Sequence, residues 1–250
     1  MSAALTKPWP YPRWIAHRGA GKLAPENTLA AFRLGASHGY RMFECDVKLS
    51  ADGVLFLLHD DTLDRTSNGH GIAGLCDWRE LSLLDAGAWH SGPYAGEPLA
   101  SLEAIAAFCL KNDYDLNIEI KPTTGMEHFT GTEVARTAQT LWRDAPRPPL
   151  LSSFKTEALA AAQAQAPEIP RGLLLDVWRD DWLSLAQSLD CSAVIYRHTL
   201  WTAEAVAQAH AVGVRCLCYT ANDDDAVQRL WSIGLDGIIT DRVDHFSPTR

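Results

Sequence analysis

Ionisable side chains lie at or just after several short apolar runs that are typical of β-strands. They comprise the histidines His17 and His59, the carboxylates Glu44, Asp46 and Glu119, and the cations Arg18 and Lys121. Charged groups are costly to bury unless they are paired or functional. Glu44 and Asp46 flank Cys45, so both carboxylates point to one face of their strand. Glu119 and Lys121 flank Ile120 in the same way, which indicates a polar face shared by several strands.

These residue types together indicate phosphoryl chemistry assisted by a metal. Carboxylates on one face repel one another unless a cation binds between them, and an all-oxygen ligand set favours Mg²⁺ or Ca²⁺ over Zn²⁺. Two histidines can exchange protons near neutral pH, while Arg and Lys stabilise charge on phosphate oxygens. A salt-bridged carboxylate or a structural histidine remains the alternative for each residue taken alone. Their joint occurrence on several strands favours one site.

The elements that carry these residues alternate between short apolar runs and helical segments. This order predicts a single domain, residues 1–250, folded as a TIM-type (β/α)8 barrel with catalytic groups at the carboxyl ends of its strands. A doubly wound open sheet is the weaker alternative, because no G-x-G-x-x-G follows the first strand. The predicted barrel strands are Trp14–Ala16, Met42–Val47, Leu116–Ile120, Leu150–Phe154, Arg171–Leu175, Ala193–Tyr196, Val214–Tyr219 and Gly237–Thr240, and predicted helices include Thr28–His38, Thr132–Trp142, Lys155–Gln165 and Thr202–Ala211.

One further strand, Val54–Leu58, interrupts this alternation. It follows the second strand after only four residues that end in Asp52-Gly53, a connection typical of a hairpin. We therefore expect an antiparallel strand that brings His59 beside Glu44. The following residues, about 60–98, form a stretch too long for an ordinary connection and are predicted to be an insertion, a small helical cap over one end of the barrel.

Composition limits the partners of the chain. The formal net charge is −9, so we expect neither nucleic acid nor an anionic membrane as a partner. Met1–Pro12 lacks the apolar run of a signal peptide, and no stretch approaches the ~18 apolar residues of a membrane span. The six cysteines contain no C-x-x-C pair. A reducing, cytoplasmic location is therefore expected.

Five motifs carry a resemblance to a known family. They are Ile15-Ala16-His17-Arg18-Gly19, Ala24-Pro25-Glu26-Asn27-Thr28, Glu44-Cys45-Asp46-Val47, Leu58-His59-Asp60 and Asn117-Ile118-Glu119-Ile120-Lys121-Pro122. In order and spacing they resemble the signature of glycerophosphodiester phosphodiesterases, over essentially the whole chain. Other segments are similar to the cytosolic bacterial members of that family that are associated with glycerol phosphate uptake.

The resemblance implies hydrolysis of small glycerophosphodiesters to sn-glycerol 3-phosphate and an alcohol. It implies Glu44, Asp46 and Glu119 as ligands of one divalent metal ion, Mg²⁺ or Ca²⁺, His17 and His59 as general base and acid, and Arg18 and Lys121 as phosphate contacts. It also implies attack by the glycerol 2-hydroxyl to give a cyclic phosphate that water then opens. Asn27 is expected to orient the site rather than to react. Which histidine acts first, which metal binds and which alcohol is preferred stay open, as does association into a homo-oligomer.

Two other functions remain as alternatives. A barrel phospholipase of the phospholipase C or sphingomyelinase D type is expected to carry an export signal or an apolar docking surface, and neither is evident in the sequence. A non-catalytic glycerophosphodiester-binding protein is expected to lack a histidine or a metal carboxylate, and all five are present. The seventh barrel strand ends Tyr219-Thr220-Ala221-Asn222, where the family usually has Trp-Thr-Val-Asn, which leaves the fit of the substrate open.

Overall fold

Eight parallel strands close into a barrel in the computed structural model, which describes residues 9–246 and 248. A short strand, β3, pairs antiparallel to β2 outside the closed ring, and β1 pairs with both β2 and β9 to complete it. The predicted (β/α)8 fold is confirmed. The strands are β1 (Trp14–Ala16), β2 (Met42–Leu49), β3 (Leu55–Leu57), β4 (Asp115–Ile120), β5 (Leu150–Ser153), β6 (Arg171–Leu175), β7 (Ala193–Arg197), β8 (Arg215–Tyr219) and β9 (Gly237–Thr240).

Helices surround the barrel and connect its strands. They are α1 (Leu29–Ser37), α2 (Trp78–Leu81), α3 (Leu102–Lys111), α4 (Glu127–Leu141), α5 (Thr156–Gln165), α6 (Trp182–Ser188), α7 (Ala203–Ala211) and α8 (Asp224–Ser232). α4 begins five residues earlier than the predicted Thr132, at Glu127. Its first turn follows a tight turn in which the Met126 amide donates to the Thr123 carbonyl, and a local turn of this kind leaves no trace in apolar periodicity.

The apolar core has an inner and an outer part. The inner cluster fills the barrel with side chains from opposite strands, among them Ile15, Met42, Leu174, Leu217 and Ile239. The outer clusters lie between the strands and the surrounding helices. β2 and β4 are buried along their whole length, so polar side chains on them occupy fully enclosed positions. Such positions require partners or a bound ligand.

The hairpin places β3 next to the carboxyl half of β2. Val47 pairs with Leu57 and Leu49 with Leu55, and the Leu58 amide donates to the Asp46 carbonyl. His59 therefore follows alongside the stretch of β2 that carries the two carboxylates. The geometric expectation that β3 runs antiparallel is confirmed.

The segment between β3 and α3 contains less helix than expected. It holds only the short α2 and two single-turn 3₁₀ helices, Ala73–Leu75 and Gly92–Tyr94, around a small apolar cluster. Hydrogen bonds from backbone amides to side chains stabilise this segment instead. Asp85 accepts hydrogen bonds from the amides of Gly87, Ala88 and Gly96. A loop rich in glycine and acidic residues is stabilised by such local bonds rather than by a helix.

Helix α1 packs unusually close to the loop after β1. A Cβ added to Gly35 would lie 2.1 Å from the Gly19 carbonyl oxygen, so only glycine allows this approach. The contact fixes the loop that carries His17 and Arg18. Within the described residues, none of the helices combines the length and apolar character needed to span a bilayer.

Candidate active site

Three buried carboxylates from two neighbouring strands meet at the carboxyl end of the barrel. The β2–β4 register pairs Asp46 with Glu119, and Glu44 lies two residues earlier on the same face of β2. One oxygen from each of the three carboxylates lies within 4.8 Å of the others. The Oε1 atom of Glu44 is buried and accepts no hydrogen bond from any described residue. This donor set fits one hard divalent cation.

Two cations lie against these carboxylates. Arg18 Nε lies 3.1 Å from Asp46 Oδ2, and Lys121 Nζ lies 3.1 Å from Glu119 Oε1 and 3.8 Å from Asp46 Oδ1. The Arg18 backbone amide also donates to Glu44 Oε2 at 3.0 Å. A guanidinium and an ammonium beside a carboxylate cluster are groups of the kind that contact an anionic phosphate.

The pKa values of the three carboxylates shift in different directions. Burial, reinforced by repulsion from Asp46 and Glu119, raises the pKa of Glu44 well above its usual range. Burial and Asp46 likewise raise the pKa of Glu119 to about 7. Burial alone would raise the pKa of Asp46 too, but Arg18 and Lys121 lower it. A bound cation would favour the charged form of all three carboxylates.

Each histidine has a carboxylate on the Nδ1 atom of its ring. His17 Nδ1 lies 2.6 Å from Asp241 Oδ1, and His59 Nδ1 lies 2.6 Å from Asp60 Oδ1. With Nδ1 donating to a carboxylate, Nε2 is left to face a reacting group. The His17 Nε2 atom lies 3.8 Å from Glu44 Oε2. Burial lowers the pKa of His59, although Asp46 and Asp60 oppose that effect.

Asp241 is a site residue that the sequence reasoning missed. It follows the last residue of β9 and accepts a hydrogen bond from Asn222 Nδ2 at 2.8 Å. Burial would raise its pKa, but the hydrogen bond and charge of His17 lower it to about 2. Its position directly after a predicted barrel strand could have identified Asp241 as a candidate site residue from the sequence. Asn222 holds Asp241 in place through this bond from its Nδ2 and through its Oδ1, which accepts from the Asp241 amide. The sequence pattern gave Asn222 no role in the site.

The backbone is strained where the chain turns into the site. Arg18 and Asn27 both adopt positive φ, at 49° and 62°, in a region that non-glycine residues rarely occupy. The Asn27 amide donates to the Arg18 carbonyl, which joins the two strained residues. The Asn27 side chain donates to Asp46 Oδ2 and accepts from the Asp46 amide. Asn27 therefore contacts the site as an orienting residue.

A cavity of about 220 Å³ at this end of the barrel is lined by five of the seven predicted residues, whereas Asp46 and Lys121 lie outside its lining. Its lining includes His17, Arg18, Glu44, His59, Asn117 and Glu119. Asn117, which the sequence reasoning did not single out, has both polar side-chain atoms buried without a hydrogen-bond partner among the described residues. Asn117, Glu119 and Lys121 alternate along β4 and so share one face, and this spacing could have identified Asn117 from the sequence. A larger cavity of about 590 Å³, with Trp9 and Tyr11 in its wall, lies at the amino ends of the strands, away from these groups.

The barrel and its polar mouth together define a hydrolase of the barrel phosphodiesterase class. Residues 17–245 match the family model described as the glycerophosphoryl diester phosphodiesterase family. The chain belongs to this family. The predicted enzyme class, a phosphoric diester hydrolase, is thereby confirmed.

Relatives of similar length support this membership. A glycerophosphodiester phosphodiesterase from Caldanaerobacter subterraneus subsp. tengcongensis is 31% identical over 227 residues, which cover 91% of this chain and 93% of that protein. A phosphodiesterase from Oleispira antarctica, solved in complex with the product sn-glycerol-3-phosphate, superposes with a TM-score of 0.86 at 33% identity, covering 92% and 93% of the two chains. A glycerophosphodiester phosphodiesterase from Agrobacterium tumefaciens gives a TM-score of 0.76 at 29% identity, covering 93% and 97%.

Proposed function

We propose that the protein hydrolyses small glycerophosphodiesters to sn-glycerol 3-phosphate and a free alcohol. The supporting observation is the cluster of three buried carboxylates at a cavity that two histidines and a guanidinium also line, with Lys121 beside Glu119. The product named for the Oleispira antarctica relative, sn-glycerol-3-phosphate, fits this reaction.

Glu44, Asp46 and Glu119 would hold one divalent cation, Mg²⁺ or Ca²⁺. When bound, the ion supplies Lewis-acid polarisation of a phosphoryl oxygen. Arg18 and Lys121 bind the remaining phosphate oxygens and stabilise the negative charge that grows on them during attack. Arg18 is held for this task by Asp46 and by Glu26, whose Oε1 accepts from Arg18 Nη1 at 2.8 Å.

The two histidines take different roles because they face different spaces. His17 lines the cavity of about 220 Å³, whereas His59 lines both that cavity and an adjoining groove. We assign His17 as the base that removes the proton of the glycerol 2-hydroxyl while its oxygen attacks phosphorus. His59 gives its proton to the alcohol oxygen as the bond between that oxygen and phosphorus breaks. The lowered pKa of His59 makes its protonated ring a stronger acid than an ordinary imidazolium.

The second half of the reaction returns both protons. Water attacks the phosphorus of the cyclic phosphate, and neutral His59 accepts the proton of that water. Protonated His17 then returns its proton to the glycerol 2-oxygen as the ring opens. The product is glycerol 3-phosphate, and both histidines regain their starting states.

We also propose a small-molecule substrate and a reducing, cytoplasmic location. All six cysteines are free, and five of them are buried, which suits a compartment that keeps thiols reduced. The net charge of −9 supports neither nucleic acid nor an anionic membrane as a partner.

One observation favours a barrel phospholipase as the second candidate function. Exposed apolar side chains follow the carboxyl ends of several strands, including Leu75, Phe129 and Trp178, which are 71%, 48% and 45% exposed. The sequence alone did not indicate such a surface. Apolar groups near a catalytic mouth can contact a lipid surface or an acyl chain. Hydrolysis of lysophospholipid micelles at least as fast as of soluble glycerophosphodiesters would favour this candidate.

The first experiment measures glycerol phosphate released from glycerophosphocholine and glycerophosphoglycerol by the purified protein. The protein is assayed as purified, after EDTA, and after Mg²⁺ or Ca²⁺ is restored. His17→Ala and His59→Ala serve as catalytic variants, and His128→Ala, an exposed histidine on α4, serves as the matched control. We expect activity that EDTA removes, that a metal restores and that only the two catalytic variants lose. Absence of release from either substrate with both metals would contradict the proposal.

A further inference from the structure

A second groove adjoins the proposed catalytic cavity. Its volume is about 400 Å³, and its lining includes Lys48, Asp61, Lys121, Thr124, Phe154 and Lys155. His59, Glu119 and Phe154 line both spaces, so the groove and the cavity are continuous. A substrate with phosphorus near His59 would extend one of its two halves into each space.

Given the proposed function, the volumes of the two spaces and the histidines in their linings indicate which half of the substrate each space binds. The cavity of about 220 Å³ contains His17 and suits the glycerol half, which must present its 2-hydroxyl to that residue. The groove is larger, and His59 is the histidine in its lining. The leaving alcohol therefore lies in the groove, where His59 can protonate its oxygen.

The charges of the groove are unequally compensated. Lys48 Nζ lies 2.7 Å from Asp61 Oδ1, and Asp60 is paired with Arg65 at 2.6 Å. Glu119, the third carboxylate of the lining, pairs with Lys121 at 3.1 Å, so all three are already paired with protein cations. Lys155 is exposed and forms no ion pair within the described part of the chain. The uncompensated charge on this side of the groove is positive.

The groove also lacks a suitable surface for a quaternary ammonium. Such cations bind between several aromatic faces or beside free carboxylates. Apart from the imidazole of His59, Phe154 supplies the one aromatic ring of the described lining, and Lys121 Nζ already lies 6.0 Å from its ring centroid. Tyr219 meets the Phe154 ring edge-on at 5.7 Å. We propose that the groove binds the leaving alcohol and selects oxygen-rich or anionic alcohols over choline, with Lys155 as the residue that determines specificity.

The test compares kcat/KM for glycerophosphoinositol 4-phosphate, glycerophosphoglycerol and glycerophosphocholine. Lys155→Glu reverses the charge of the groove, and Lys111→Glu makes the same change at the exposed end of α3, on the opposite side of the barrel. We expect the wild-type enzyme to cleave the first two substrates faster than glycerophosphocholine. Lys155→Glu should shift the ratio of anionic to choline substrate by about tenfold toward choline, whereas Lys111→Glu should leave it unchanged.

The outcomes separate this inference from the proposed function. Cleavage of all three substrates with a ratio that Lys155→Glu leaves unchanged would overturn the specificity inference and leave the reaction in place. Faster wild-type cleavage of glycerophosphocholine than of the other two would also overturn it. Failure to cleave any of the three would instead overturn the proposed function.

An independent observation concerns Arg65, in the segment between β3 and α3. Its guanidinium bridges two carboxylates with four hydrogen bonds. Nε and Nη2 donate to Asp60 at 2.6 and 3.0 Å, and Nη1 and Nη2 donate to Glu26 at 2.9 and 2.8 Å. Asp60 holds the ring of His59, and Glu26 holds the guanidinium of Arg18.

The geometry points to Arg65 as a positioning residue that fixes the proposed acid and the phosphate-binding arginine together. Only a planar guanidinium offers donors in this fork-like arrangement, so lysine cannot replace it. Arg65 is half-exposed, so its removal leaves room that a small solute cation can reach.

The test uses Arg65→Met and Arg65→Lys, with Arg79→Met as the control at an exposed arginine of α2. Both Arg65 variants should lose roughly 10- to 100-fold in kcat, with melting temperatures close to that of the control. Added guanidinium should restore part of the activity of Arg65→Met only. Full activity of Arg65→Lys, or a loss that guanidinium leaves unchanged, would overturn the positioning role.

Discussion

His17 and His59 are equivalent in local geometry but differ in where their carboxylates come from. Asp60 is the residue next to His59 in the chain, whereas Asp241 reaches His17 from the opposite end of the sequence. Each carboxylate holds its ring through Nδ1, which leaves Nε2 free of that contact. Asp60 was visible as part of a local motif. Asp241 became visible only when β1 and β9 were paired.

The first prediction concerns this carboxylate. Asp241→Asn retains the shape of the side chain but removes the charge that holds the His17 ring through its Nδ1 atom. We expect kcat to fall by about 10- to 100-fold, the usual effect of losing a carboxylate that supports a functional histidine. Steady-state kinetics on a soluble glycerophosphodiester measure the change.

Asp244→Asn is the matched control, because Asp244 lies nearby in the chain, is exposed and pairs with the exposed Arg242. It should retain wild-type kcat. Equal activity of Asp241→Asn and Asp244→Asn, with both proteins folded, would refute the role of Asp241.

At the scale of elements, register determines which side chains meet. The pairing of Asp46 with Glu119 across β2 and β4, and of Ala16 with Phe43 across β1 and β2, brings three strand ends to one mouth. The period-two spacing of polar residues within each strand was readable from the sequence. The alignment of these residues across strands could not be read from the sequence, because register depends on the packing of the whole barrel.

The second prediction concerns the contact between α1 and the loop after β1. Gly35→Ala would place a methyl group 2.1 Å from the Gly19 carbonyl oxygen, so either the helix or the loop must move. We expect a loss of about 1–3 kcal/mol in the free energy of unfolding, the usual cost of overpacking. Activity should fall as well, because the loop carries Arg18. Urea unfolding and kcat measure the two effects.

Gly92→Ala provides the comparison, because a Cβ at Gly92 meets no atom within 4 Å. Its unfolding free energy should stay close to that of the wild type. If Gly35→Ala were as stable and active as Gly92→Ala, the close approach would not hold the loop.

At the scale of the whole molecule, two of the three buried carboxylates, Glu44 and Glu119, oppose folding when they are charged unless a further cation is present. Burial and mutual repulsion raise the pKa of Glu44 and of Glu119, the latter to about 7. A carboxyl with a raised pKa in the folded state binds its proton more tightly there than in the unfolded chain. Its contribution to stability is therefore complete below its ordinary pKa and is lost as pH rises through about 7.

The third prediction follows from this loss of stability with rising pH. In EDTA, the free energy of unfolding should decrease as pH rises from the ordinary glutamate range through about 7. With Mg²⁺ or Ca²⁺ near 100-fold above its dissociation constant, the protein should gain about 2.7 kcal/mol. Thermal and urea unfolding across this pH range, with and without metal, measure both effects.

Glu44→Gln tests the same site by a second route. It removes one of the repelling charges, so the metal-free variant should be more stable than the metal-free wild type, and added metal should stabilise it less. Asp113→Asn, at an exposed carboxylate on the opposite side of the barrel, is the control. Identical stability of wild-type protein with EDTA and with either metal would contradict a cation site at these residues.

The sequence by itself determined the alternation of strands and helices, the hairpin after β2, and the polar residues that end the strands. These features are local, since hydrophobic periodicity, turn residues and motif spacing are properties of short stretches. The extent of helix between β3 and α3 was overestimated, because side-chain bonds such as those of Asp85 stabilise loops without periodicity.

Only the tertiary structure decided which distant residues support the site. Asp241 on His17, Arg65 between Asp60 and Glu26, and the groove beside Lys155 all join segments that are far apart in the chain. Closure of the barrel brings the two ends of the sequence together by pairing β1 with β9. The physical reason is that such contacts depend on strand register and barrel closure, which arise from packing across the whole fold rather than from any local pattern.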